Sequence, residues 1–293
     1  MHHTLELEFI HFVHQFRNPW LDHFFKLLNF FDRQEFFFIL IPIIWLGQGW
    51  KTGLRLFYML LLSTLTNHVL KEFFLSPRPF HLEPNVGIIW VSGLGFPSGA
   101  AQTAILLSSF LLNFWKSFWI GILAFTYIAL ISFSRVYLGV HFPSDILGGW
   151  FVGCLLCMLY LYAYPLIEKW FERLKPHSLF LLSQAFPLFL LVWQYSIPAI
   201  CICSVAMGLG ISLFINHSFQ LFLPPPQDFK EYILRAIIGV LGTFICYALT
   251  LLLPSPHSFV YLFSQFLLIG LWLGLGSQLV CYPFLPTPVT QNE

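Results

Sequence analysis

A chain of 293 residues that is 58% hydrophobic and 19% aromatic but only 9% charged cannot cover itself with the polar surface a soluble globule presents to water. A net charge of +1, with its basic residues scattered singly, excludes the stripe that follows a phosphate backbone, so no nucleic-acid partner is expected. A bilayer suits this composition: lipid tails solvate thirty-five Phe, and the headgroup zone accommodates ten Trp.

In chain order, MHHTLELEFIHF carries Glu6 and Glu8 and no basic n-region, so it does not resemble a cleaved signal peptide, and the first true span is expected to act as targeting signal. LELEFIHFVHQF and LDHFFKLLNFF place apolar residues at helical spacing with charged ones between, which predicts interfacial helices over residues 1–33. Apolar runs of spanning length then follow at 34 to 49, 54 to 74, 98 to 114, 118 to 134, 146 to 166, 179 to 194, 198 to 215, 233 to 253 and 259 to 280. The stretch 179 to 215 has no charge, and Gln194, Ser196 and Pro198 are the turn signal that divides it; as one segment it would move the C-terminus to the other side. EKWFERLK, Glu168 to Lys175, is the densest charge cluster and marks a boundary. The reading is an all-α polytopic membrane bundle of about nine spans, with a core at 34–167 and a C-terminal membrane extension of about four spans at 168–293. Membrane lipids are the implied surroundings.

Five of the six cysteines, Cys154, Cys157, Cys201, Cys203 and Cys246, fall inside apolar runs, so neither a disulfide framework nor a metal site is expected, and no cofactor is implied. Threading the segments alternately collects Lys51, Arg55, Lys116, Lys169, Arg173, Lys175, Lys230 and Arg235 on one side. The other keeps Arg17, Lys26 and Arg33, besides the cations discussed next. The bias makes the first side cytoplasmic, with a cytoplasmic C-terminus for nine spans, and turns the chemistry toward a periplasm, outer surface or lumen.

Three segments concentrate charge and turn residues at that non-cytoplasmic side. In KEFFLSPRP, Lys71 and Arg78 stand seven apart, two turns of a helix and one face, with Pro77 and Pro79 to stop it. Such a pair suits an anion, although snorkelling to the interface explains it equally well. In GFPSGAAQTA, Pro97 fits an early helix position, and Ser98 and Gly99 leave amides at a positive dipole end; an ordinary cap has the same look. In SRVYLGVHFPSD, His141 and Asp145 are four apart across a helix start, so the carboxylate can reach one ring nitrogen and leave the other to attack, with Arg135 six residues upstream. A capping Asp beside an interfacial His is the plainer alternative.

Together, Lys-x6-Arg-Pro, Pro-Ser-Gly and Ser-Arg-x5-His-x3-Asp, in that order, resemble the signature of the phosphatidic-acid phosphatase type 2 superfamily, over about residues 20 to 165. The last four segments have no counterpart in its common six-helix members. The resemblance implies that His141 is a nucleophile forming phosphohistidine and that Asp145 orients it. It further implies that Lys71, Arg78, Arg135, Ser98 and Gly99 hold the phosphoryl oxygens. Phosphoryl transfer asks mainly for cationic clamps and a positioned nucleophile, and three fixed cations leave no need for a metal.

The family's Pro-Ser-Gly is usually followed by a histidine acting as general acid; here that position is Ala100. A positioned acid is worth about 10²- to 10⁴-fold, and its loss hurts an alkoxide leaving group more than a phosphate. Three readings follow: an inactivating change; a natural residue, with a diphosphate substrate or a substitute donor among His81, His68 and Gln102; or a protein that binds lipid phosphate without turnover. The expected substrate is a lipid phosphate or diphosphate, undecaprenyl diphosphate being favoured. The alternatives are a lipid-phosphate-binding protein or carrier and a sugar-phosphate phosphatase of the glucose-6-phosphatase type.

Overall fold

The computed structural model describes residues 3–250 and 258–284. Every regular element among them is helical: α1 Thr4–His14, α2 Pro19–Leu28, a 3-10 turn Asn29–Asp32, α3 Gln34–Gly47, α4 Trp50–Phe74, α5 Pro79–Leu82, α6 Gly99–Phe114, α7 Phe118–Tyr137, α8 Pro143–Phe171, α9 Pro176–Trp193, α10 Ile197–Phe219, α11 Phe229–Thr250, α12 Phe259–Leu271 and α13 Ser277–Cys281, the last two joined through a π-helical turn, Trp272–Gly276. Helices suit a bilayer because each backbone amide finds its partner inside its own segment, away from water.

Six helices are long and apolar enough to cross a membrane, α7 to α11 and the continuous run Phe259–Cys281. The count of nine is therefore not reached among the described residues. α3 and α6 are apolar but have only 14 and 16 residues. α4 has 25 residues, but Ser63, Thr64, Thr66, Asn67 and His68 dilute its hydropathy. The stretch 179 to 215 is two helices: α9 ends at Trp193, and Ser196 caps α10 by accepting a bond from the Ala199 amide at 3.3 Å. Residues 251–253 of the predicted eighth segment lie outside the described part, as does the end of the C-terminal extension. All six cysteines are free thiols, and Cys154 lies exposed on α8 while Cys157 is buried.

Two compact units divide the chain, one from Met1–Phe36 and Tyr58–Lys169, the other from Phe37–Phe57 and Trp170–Glu293. α3, which the sequence division assigns to the core, thus groups by contact with the C-terminal helices. In the first unit, α8 comes against α6 through Gly149 and Gly153, four apart on one face; a Cβ at Gly149 would stand 2.5 Å from the Ser98 carbonyl oxygen. Small residues let backbones approach where lipid gives no hydrophobic drive to associate. Gln102, fully buried, ties α6 to α4: its amide donates to Ser63 Oγ at 2.7 Å and accepts from Asn67 Nδ2 at 3.0 Å. α1 and α2 pack on α7 and on the loop behind it, with Ile10 wholly buried among Val86, Ala101, Val136, Phe142 and Ile146.

In the second unit, α10 and α12 use the same device. Gly208 and Gly270 meet backbone to backbone, and Asn216 Nδ2 donates to the Gly274 carbonyl at 2.7 Å.

Candidate active site

The site belongs to the first unit. α7 ends at Tyr137, and Gly139 turns the chain at φ +67, where a Cβ would stand 1.9 Å from the Val86 carbonyl oxygen; only glycine fits. The turn carries His141 to the start of α8. Its Nδ1 lies 3.2 Å from Asp145 Oδ2, which also accepts the Phe142 amide at 2.9 Å. The other nitrogen, Nε2, lies 3.1 Å from Arg78 Nη1. A guanidinium can only donate, so Nε2 accepts and the proton sits on Nδ1, donated to the carboxylate. The i, i+4 pairing predicted from the sequence is present, and it leaves a lone pair at Nε2.

His141 and Asp145 are buried, at 4% and 0% exposure. Burial first, then Arg78, Lys71 and Arg135, hold the imidazole well below the ordinary histidine range, so it stands neutral at physiological pH.

Arg78 does not share a helix face with Lys71, contrary to the spacing argument. α4 ends at Phe74, Leu75 adopts φ +49, and Arg78 opens the short helix α5. Proline on both sides keeps the intervening backbone extended. The guanidinium nonetheless comes back to the site, donating from Nε to the Gly93 carbonyl at 2.8 Å, from Nη1 to that of Val140 at 2.9 Å and from Nη2 to that of Ser92 at 3.2 Å. Burial lowers its pKa to about 10, which still leaves it cationic. Lys71 Nζ donates to the carbonyls of Leu94 and Gly95. The segment 92–95 is thereby pinned by two cations to which no carboxylate is bonded among the described residues.

Arg135, 1% exposed, points elsewhere at close range. Its Nη1 donates to Asn29 Oδ1 at 2.7 Å and to Asp32 Oδ2 at 3.4 Å, Nε to Ser134 Oγ at 3.2 Å, and Nη2 is buried without a partner among the described residues. Asp32 was not foreseen from sequence. It is a second acidic group in the cation cluster besides Asp145, facing Arg135, Arg78 and Lys71.

Ser98 is the N-cap of α6, its Oγ accepting from the Ala101 amide at 3.4 Å and its own amide donating to the Asp145 carbonyl at 2.9 Å. Gly99 is the first helical residue, so Pro97, joined to Phe96 by a cis peptide, precedes the cap instead of sitting inside the helix. Ala100 is buried with Ala104 and Ile131, under Leu28, Phe31 and Tyr127. Among the substitute donors, His81 is exposed, and its Nδ1 accepts the Arg78 amide at 3.2 Å as part of the α5 cap. Gln102 is consumed by the α4–α6 network, and His68 is half-buried on α4.

Of the aromatic residues near the motifs, Phe73, Phe74 and Trp90 are exposed and can meet lipid, whereas Phe80 and Tyr137 are buried in the core beneath the loop. Glu6 of α1 accepts the Ser144 amide at 2.8 Å, and His14 Nε2, at the end of the same helix, lies 2.9 Å from the Tyr137 carbonyl oxygen, so α1 braces both ends of the His141 loop.

A family model described as the PAP2 superfamily matches residues 52–169. Phosphatidylglycerophosphatase B of Bacillus subtilis (strain 168) is 33% identical over 156 residues, 49% of this chain and 75% of that protein. A probable sphingosine-1-phosphate phosphatase of Dictyostelium discoideum is 29% identical over 155 residues, 47% of this chain and 37% of its own length. The putative undecaprenyl-diphosphatase YbjG of Escherichia coli (strain K12) is 32% identical over 101 residues, 34% of this chain and 50% of that one. The chain thus spans half or less of the last two relatives. Among solved structures, LpxE of Aquifex aeolicus is 28% identical with a TM-score of 0.49, covering 54% of this chain and 95% of that one.

Proposed function

Because the chain belongs to the PAP2 superfamily, we propose that it is an integral membrane phosphatase that removes the phosphate of a lipid phosphate or diphosphate through a phosphohistidine on His141. The observation that carries this reading is the two-sided constraint on one buried imidazole. Asp145 accepts a hydrogen bond from Nδ1–H, and Arg78 faces the Nε2 lone pair at 3.1 Å. A pocket that only bound phosphate would need no oriented nucleophile.

An arriving phosphate exchanges the Nε2 contact of Arg78 for its own oxygens, and Lys71 and the unpartnered Nη2 of Arg135 complete the clamp. Ser98 and Gly99 supply the neutral edge of the cradle at the start of α6, where the helix dipole favours negative charge. His141 then attacks phosphorus, the P–O bond to the leaving group breaks, and water releases inorganic phosphate from the N–P bond. The carboxylate of Asp145 stabilises the positive charge that develops on the ring.

The relatives' names point to amphiphilic substrates: a phosphatidylglycerophosphatase, a sphingosine-1-phosphate phosphatase and an undecaprenyl-diphosphatase. Exposed Phe73, Phe74 and Trp90 beside the Arg78 segment offer an apolar approach for such a chain. The distribution of Lys and Arg supports a site facing the periplasm, outer surface or lumen. Ala100 supports the competing reading, a lipid-phosphate-binding protein without turnover. Purified chain is incubated with ³²P-labelled phosphatidylglycerophosphate and, separately, undecaprenyl diphosphate, then quenched in base, in which an N–P bond survives. Label on the unaltered chain but not on His141→Ala is expected. Label that survives His141→Ala rejects the nucleophile, and no label or phosphate release from either substrate favours the binding protein.

A further inference from the structure

The methyl group of Ala100 cannot donate a proton, yet the space above it is filled in a particular way. The segment Leu28–Asp32 folds over α6 and α7, and Leu28 and Phe31 pack on the cluster of Ala100, Ala104 and Ile131. This brings the next residue, Asp32, onto the guanidinium of Arg135, with Oδ2 3.4 Å from Nη1 and the neighbouring Asn29 on the same nitrogen at 2.7 Å. A carboxyl group therefore enters the phosphate clamp from the side of position 100, while the nucleophile enters from the side of Arg78 and Val140.

We propose that Asp32 is the general acid and base of this site, its carboxyl replacing from α2's trailing turn the proton donor that α6 lacks at Ala100. The assignment rests on the phosphatase reading above. An ionised carboxylate here would repel a phosphate, whereas a protonated one donates to it. Forty per cent of the Asp32 side chain is open, so a phosphate and water can both reach the carboxyl. Burial raises its pKa despite the opposing pull of Arg135, Arg78 and Lys71, and a bound phosphate adds negative charge that raises it further. Tyr127 of α7 also faces it, and Arg33 adjoins it in sequence, paired with Glu35 at 2.8 Å.

In the first step the Nε2 lone pair of His141 forms the N–P bond as the P–O bond to the leaving group breaks, and the departing oxygen takes the Asp32 proton. In the second, water adds to phosphorus and gives a proton to the Asp32 carboxylate; the N–P electrons return to Nε2 and inorganic phosphate leaves. Both halves balance without any other reactant.

The two halves give a test. The unaltered chain, Asp32→Asn, Ala100→His and the double variant are purified in detergent and mixed rapidly with dodecyl phosphate, whose alkoxide needs a proton, or p-nitrophenyl phosphate, whose phenolate departs unaided. For Asp32→Asn, the burst of phosphoenzyme from dodecyl phosphate is expected to slow by about 10²-fold or more. The burst from p-nitrophenyl phosphate is expected to persist, with phosphoenzyme accumulating because its hydrolysis has lost the base. Ala100→His in the Asp32→Asn background is expected to restore the dodecyl burst. Equal loss of both bursts, or no loss of either, overturns the assignment while leaving His141 as the nucleophile. An unaltered chain that forms no phosphoenzyme from either compound removes the phosphatase reading, and this assignment with it.

Discussion

The charge on Asp145 can be tested without disturbing its shape. Oδ2 accepts both the Phe142 amide and His141 Nδ1–H, so in Asp145→Asn the amide oxygen must stay where it is, since a turned amide would set NH₂ against the Phe142 N–H. The productive tautomer survives and only the negative charge is lost. At 3.2 Å and an effective dielectric of about 20, a full charge on the ring would gain about 5 kcal/mol from the carboxylate. With roughly half of that charge developed at the transition state, the loss is about 2–3 kcal/mol, or roughly 30- to 150-fold in rate. Rapid-quench measurement of phosphoenzyme formation reads this directly. KM is expected to hold, because Asp145 meets the ring at Nδ1, the nitrogen away from Arg78. An unchanged rate would refute the electrostatic role; a rate as low as that of His141→Ala would show that the carboxylate holds the ring in place and that shape was not preserved.

Two further outcomes follow from the site. His141 is held well below 6.5, so its neutral, nucleophilic form persists as pH falls through that value, and the acidic limb of the burst rate should lie lower. Arg78→Gln removes the cation that lies 3.1 Å from Nε2, so the limb should move upward whatever the rate's height; a limb at or above 6.5 in the unaltered chain refutes the argument. Gly139→Ala meets the Val86 carbonyl at 1.9 Å and breaks the pairing of the Ile88 amide with the Leu138 carbonyl. The left-handed backbone alone costs roughly 1–2 kcal/mol, so thermal unfolding in detergent should come clearly earlier, and an unshifted transition would show that the turn is not constrained.

What the sequence revealed depended on how far apart the partners lie along it. His141 and Asp145 are one helical turn apart, so their meeting follows from local geometry. Arg78 was legible as a residue but not as a geometry, because a left-handed Leu75 and a proline-flanked extended stretch cannot be read from a spacing of seven. Asp32 was invisible: it meets Arg135 across 103 positions, from a four-residue 3-10 turn with no motif of its own. Pro97 was placed in the first turn of the helix, whereas it precedes Ser98, the cap that opens α6. The helical class was readable because hydropathy sums over many residues. The number of spans was not, because α3, α4 and α6 fall short in length or in hydropathy and window averages blur both.

The shielding of His141 bears on how this protein responds to chemical modification. Eleven imidazoles compete for any histidine-directed reagent, and those of His11, His23, His81, His177 and His217 stand open. At 4% exposure, with Arg78 against its lone pair, His141 would be acylated last. Inactivation by diethyl pyrocarbonate should therefore trail far behind total histidine titration, and an occupant of the phosphate clamp would change that lag by drawing the guanidinium away from the ring.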